Sequence, residues 1–142
     1  MNSYQEMQER HQQEVNQFPF MFAFSNQQFD EGMRKLGLDP SQTDQIVSIG
    51  GGGYVRKSDV PAMREMFARQ EKERKEALAT DKAERGHAYQ MFLHELGNHE
   101  YCVTLDLSDT LVACGLTHQQ VNDNENLRKA LSLAIQDYMK DA

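Results

Sequence analysis

Apolar residues in this chain fall into short groups separated by turn chemistry, and their spacing predicts mostly helices with a small sheet. The first 17 residues carry five glutamines and only a thin apolar stripe of Tyr4, Met7 and Val15. That is the pattern of a marginal helix or a loose arm. Phe18-Pro19 ends it, because a residue before proline is pushed out of the helical region. The run Phe20-Met21-Phe22-Ala23-Phe24 reads as a buried strand over residues 20–24. Ser25-Asn26-Gln27-Gln28 is a capping box, and Phe24 and Phe29 are spaced as a hydrophobic staple. Phe29, Met33 and Leu36 then share one helical face, and Gly37 sits where a left-handed C-terminal residue is expected. A helix over residues 26–36 follows. Asp39-Pro40-Ser41-Gln42 repeats the start signal, with proline at a first helical position.

Residues 46–49 and 54–57 read as strands joined by Gly50-Gly51-Gly52-Gly53, a hairpin pattern. Ser58 or Asp59 caps a long charged helix from about residue 60, with Met63, Met66 and Phe67 as its core face. From Gln70 to Glu76 that helix is polar on every side and rich in helix-spaced pairs such as Glu65–Arg69, Glu71–Lys75 and Lys72–Glu76. Such a helix is expected to project from the body, where it could form the seam of an antiparallel homodimer. After a break near Gly86, a second helix runs to about Leu96 and is stopped by Gly97-Asn98. Residues 101–105, Tyr-Cys-Val-Thr-Leu, have the content of a further strand. Leu107 to Cys114 reads as a short helix ended by Gly115, and Thr117-His118-Gln119-Gln120 is another capping box. Leu127, Leu131, Ala134 and Tyr138 form the stripe of a last helix over residues 125–140. The expected class is α+β, mainly helical with a small antiparallel sheet. The expected organisation is a polar arm over residues 1–17 and one domain over residues 18–142.

Size supports that picture. A chain of 142 residues buries roughly two-thirds of its unfolded surface, so neither disulfides nor a metal are needed for stability. No apolar run approaches the ~20 residues of a membrane span, and the N-terminus lacks the layout of a secretory signal. Two cysteines, Cys102 and Cys114, without CxxC spacing, fit a reducing cytoplasm. The formal charge is −7, unevenly spread. Arg64 to Arg85 holds seven basic and six acidic residues, whereas His94 to Ala142 holds three and eight. An acidic surface repels phosphates and offers no direct footprint for nucleic acid. With no Trp and 8% aromatics, no stacking platform for single strands stands out.

Two groups could carry chemistry. The amides of Gly50, Gly51, Gly52 and Gly53, with Arg56 and Lys57, are the parts of an anion site, for example for a phosphorylated nucleotide. The spacing departs from known phosphate loops: Arg56, not glycine, precedes Lys57-Ser58, and Val55 breaks G-x-G-x-x-G. The competing reading is a flexible hairpin turn. The second group is His87, His94, Glu95 and His99, candidates for a metal-assisted hydrolase. His94 and His99 are five apart, not the four that would put both on one helix face, while His87 and His94 are seven apart and could share one. The competing reading is a polar helix end with histidines favoured by the helix dipole. Cys102 and Cys114 read as small core residues rather than nucleophiles. No cofactor is implied.

Three stretches together carry a resemblance: Phe22-Ala23-Phe24-Ser25-Asn26-Gln27-Gln28-Phe29 through Gly37, Ser48-Ile49 through Asp59, and Asn98-His99-Glu100-Tyr101-Cys102. From about residue 18 onward the chain resembles an uncharacterised family of small proteins carried by phages, plasmids and conjugative elements of gut and other Gram-positive bacteria. No catalytic motif comes with that resemblance. It implies a non-enzymatic accessory protein of a mobile element. Such a protein would bind a host or phage protein complex, for example to inhibit a defence system such as CRISPR, with its acidic surface matching a basic channel.

Overall fold

The computed structural model describes residues 2–141. It contains eight α-helices and one three-stranded antiparallel sheet among those residues, the expected mainly helical α+β class. Contacts group into two compact units. One runs from His11 to Lys72, and the other joins the residues up to Arg10 with those from Glu73 on. The boundary falls inside two helices, α1 (Ser3–Gln17) and α3 (Val60–Thr80), rather than at residue 17.

The sheet lies in the His11–Lys72 unit. Its strands are β1 (Met21–Phe22), β2 (Ile46–Gly50) and β3 (Gly53–Arg56), in the order β1-β3-β2. Met21 pairs with Tyr54, Ser48 with Tyr54 and Ile46 with Arg56. Side chains alternate across a strand, so Met21, Tyr54 and Ile46 share one face. Met33 and Leu36 of α2 (Asn26–Lys35) and its C-cap cover that face, with Phe29 edge-on to Tyr54 at 5.4 Å. Ser25 caps α2 by accepting from the Gln28 amide at 3.2 Å. The Gln28 side chain accepts from the Phe24 amide at 2.8 Å, one residue earlier than a capping box requires. At the other end Gly37 is left-handed, and the Leu38 and Gly37 amides donate to Met33 and Arg34 carbonyls. Gly115 closes α6 (Ser108–Ala113) in the same way.

Several expectations give way here. The second start signal opens no α-helix: the Asp39 carboxylate accepts from the Ser41 amide and hydroxyl, and a 3-10 turn Thr43–Gln45 follows. Those bonds also hold the Asp39 carboxyl below its usual range. Lys57 is not part of β3 but begins a 3-10 turn, Lys57–Asp59. Asp59 accepts from Arg56 Nε at 2.7 Å. The stretch Gln70–Glu76 is not solvated all round. Gln70 is 3% exposed and donates to the His11 carbonyl at 3.2 Å, and Arg69 pairs with Glu14.

In the second unit, α4 (His87–Asn98) packs along α8 (Glu125–Asp141), with Phe92, Leu96, Leu131 and Ala134 buried between them. Helix α7 (His118–Asp123) starts with a complete capping box: Gln120 N donates to Thr117 Oγ1 at 3.1 Å, and Thr117 N to Gln120 Oε1 at 2.9 Å. The strand expected over residues 101–105 is a helical turn, α5 (Tyr101–Thr104), between left-handed Glu100 and Leu105. Its β-forming composition is overridden by packing, since Tyr101 sits on the core beside Tyr138. Nor do Gly97-Asn98 stop α4, which runs through both to a cap at His99. A glycine inside a helix costs only about 1 kcal/mol, less than the packing of a buried face returns.

Candidate functional site: an exposed aromatic face over a glycine turn

The glycine loop is tighter than four free glycines. Gly50 and Gly53 pair with each other at the strand ends, and only Gly51 and Gly52 form the turn, both with positive φ as in a type I′ hairpin. Arg56 lies three residues along β3, at the end paired with Ile46 and roughly 10 Å from Gly53 at the usual strand rise. Its guanidinium is engaged there by Asp59 and by the Leu36 carbonyl at 3.0 Å. Lys57 is exposed in the following turn. The structure therefore does not bring Arg56 and Lys57 together with the amides of Gly50–Gly53.

What gathers over the turn is apolar. A Cβ on Gly53 would lie 3.0 Å from the Phe22 ring and 2.9 Å from the Ile49 side chain. One on Gly52 would lie 2.5 Å from the Phe24 ring. The two glycines are the floor on which these side chains rest. Phe22 continues the group to Phe20, centroids 6.3 Å apart, and Phe20 stacks on Phe67 of α3 at 6.3 Å. Val47 points to the same face as Ile49, two residues away on β2. These side chains are exposed: Phe24 by 78%, Phe22 by 59% and Phe67 by 42%. The three residues together present on the order of 350 Å², the size of the largest apolar patch on a typical monomer, which is often a functional one. Next to them opens a groove of about 250 Å³, with Phe20, Phe22 and Leu36 among its apolar walls and Gln28, Glu31 and Lys35 among its polar lining.

The staple expected between Phe24 and Phe29 is absent. Phe29 turns inward to Tyr54 and Phe24 outward over Gly52. The sequence signal for the face is the spacing Phe20, Phe22, Phe24, which puts alternate rings on one side of an extended segment. Only the pairing of Phe22 with Gly53 reveals which side of the sheet these rings lie on, a side that is covered at Val55 and exposed toward the turn.

The histidine group lies in the other unit, around Tyr4 of α1. The His87 and His94 rings both stand edge-on to the Tyr4 ring, at 5.7 and 5.6 Å. The Tyr4 hydroxyl donates to Glu95 Oε1 at 2.9 Å and accepts from Gln8 Nε2 at 2.6 Å. The other Glu95 oxygen accepts from Asn98 at 3.4 Å and lies 3.5 Å from His99 Nε2. Burial, and then the bond to Glu95, push the Tyr4 hydroxyl well above the ordinary phenol range. Burial and the Glu95 charge push the Cys114 thiol up to about 12, so at neutral pH it is no thiolate nucleophile. Burial lowers His87 below the ordinary histidine value, against the charge of Asp81. Glu95 is 6% exposed and its carboxylate is taken up by these partners. Among the described residues no group of three or more His, Cys, Asp or Glu could hold a metal ion. What His87 and His94 share is a tyrosine ring.

No helix of the described residues is long and apolar enough to cross a membrane. Neither a curated protein nor a solved structure matches the chain. A family model does, over residues 3–137, which takes in both the aromatic face and the Tyr4 cluster. The chain thus belongs to the DUF7659 family, a family of unknown function.

Proposed function

We propose that this chain is a non-enzymatic binding protein that docks a partner protein on the face formed by Phe22, Phe24, Ile49 and Phe67. The observation behind it is the exposure of three phenylalanines, two of which, Phe22 and Phe24, lie against Gly53 and Gly52. Aromatic side chains are enriched at the centres of interfaces because they bury large areas at little entropic cost. The neighbouring groove, where Phe20, Phe22 and Leu36 meet Gln28, Glu31 and Lys35, suits a partner side chain with an apolar stem and a polar end. The resemblance to mobile-element proteins supports a host protein complex, such as a defence assembly, as that partner.

The alternative of a phosphorylated nucleotide at the glycine loop has less behind it, since Arg56 is engaged by Asp59 and Leu36. The test is affinity capture from host lysate with the wild-type chain and with Phe24→Ser. At 78% exposure this substitution should change stability by no more than about 0.5 kcal/mol. A specific partner should be recovered by the wild type and lost with Phe24→Ser. Equal recovery by both proteins would refute this face as the docking site.

A further inference from the structure

Strand β2 is an open edge of its sheet, because the order β1-β3-β2 leaves one side of it unpaired. Its residues from Val47 to Gly50 are exposed. The sequence Ile-Val-Ser-Ile-Gly contains no charge and no proline, two of the devices that blunt an edge against pairing. A register shift between Ser48 and Gly50 is confined to the turn end, and Ile46 to Ser48 pair regularly.

Three properties bear on what covers this edge. The first is charge. At −7, two copies of the chain repel each other over much of their surfaces, but β2 sets no like charges face to face. The second is parity. A two-fold axis perpendicular to a sheet preserves its faces, so Val47 and Ile49 meet the same residues of a second copy on one side, whichever register is adopted. The strand is thus complementary to itself. The third is area. Pairing one edge of five residues, three of them in regular register, buries less than the interface of a stable complex, which fits a dimer that dissociates on dilution.

We propose that β2 pairs antiparallel with β2 of a second copy of this chain, giving a six-stranded sheet across which the two aromatic faces run together. The inference builds on the docking reading of the same sheet. It uses the edge, with Val47 and Ile49 at the seam, and leaves Phe22, Phe24 and Phe67 free, so the dimer offers two docking groups side by side and gains avidity for a partner with two matching sites.

Sedimentation velocity of the full chain over a wide concentration range tests it, with circular dichroism to confirm that each variant is folded. The wild type should move from monomer to dimer as concentration rises. Val47→Lys and Ile49→Lys each bring a charge and its symmetry copy into the uncharged seam, opposite or diagonal to each other according to register, and should weaken it about tenfold or more. Mixing Val47→Lys with Val47→Glu or with Ile49→Glu should restore a salt-sensitive heterodimer, and the better mixture reports the register. A wild type that stays monomeric throughout, or a dimer indifferent to both lysine variants, would overturn the pairing. A monomer that still captures its partner through Phe24 would overturn the pairing alone. A β2 dimer whose Phe24→Ser form keeps the partner would instead overturn the docking reading alone.

Discussion

The two compact units differ in the aromatic residues they leave exposed. In the unit built on α4 and α8, rings point inward and their polar ends are satisfied. Tyr4 donates to Glu95, and Tyr89 donates to Asp137 at 2.7 Å, where Arg85 also binds. Phe92 is fully buried. In the His11–Lys72 unit, Phe22, Phe24 and Phe67 point outward and have no polar atom to satisfy. The first arrangement gains its energy within the unit and fixes how its helices pack. The second leaves apolar area exposed, and that area can be removed from water only against something else. The titratable cluster, chemical by residue type, is bonded within its own unit. The phenylalanines, core-like by residue type, are the exposed group.

The comparison can be broken by exchanging these roles. The largest effect is expected from Tyr4→Phe, which removes the hydroxyl that serves Glu95 and leaves a buried carboxylate oxygen short of a donor. It should cost about 1–3 kcal/mol in urea unfolding while leaving partner capture unchanged. Loss of capture by this variant would show that the cluster is not merely structural. Gly52→Ala should come next. A methyl group at φ +77° costs about 1–2 kcal/mol and meets the Phe24 ring. Here stability and capture should fall together, unlike in Phe24→Ser, where capture alone falls. The smallest effect concerns pH. His87 is buried, so its native pKa lies below the unfolded value of 6.5 and the unfolded chain takes up the proton first. Its contribution to stability is complete above that value and declines as pH falls from 6.5 toward the lowered native pKa. His87→Gln should flatten the decline in unfolding midpoint across that window, and an unchanged slope would place the effect elsewhere.

Features set by near neighbours along the chain are legible in the sequence. Ser25, Gly37, Gly115 and Thr117 mark helix ends through bonds spanning three to five residues, and the structure makes those bonds. Features set by distant partners are not legible in this way. Helix α1 reads as marginal because its apolar stripe is interrupted after Met7, yet the next position on that face, His11, is polar by type and only 6% exposed. The segment 101–105 has the composition of a strand, but it has no strand to pair with and a core that takes Tyr101. Tyr4 and Glu95 are 91 residues apart, so no spacing rule joins them. Arg56 beside four glycines is the strongest candidate on charge alone. It gives way because strand direction carries Arg56 away from the turn, a fact of register that composition does not contain.

The glycine floor also bears on how this surface can change through mutation. Positions 52 and 53 admit no side chain without displacing a ring or Ile49. The positions above them carry no comparable constraint: Phe24 and Phe22 are mostly in solvent, and replacing either leaves no cavity in a core. Substitution can thus alter the size and shape of the docking group while the turn that presents it stays fixed. Recognition on this face is free to drift from one partner to another at little cost to folding, provided that the two glycines beneath it do not change.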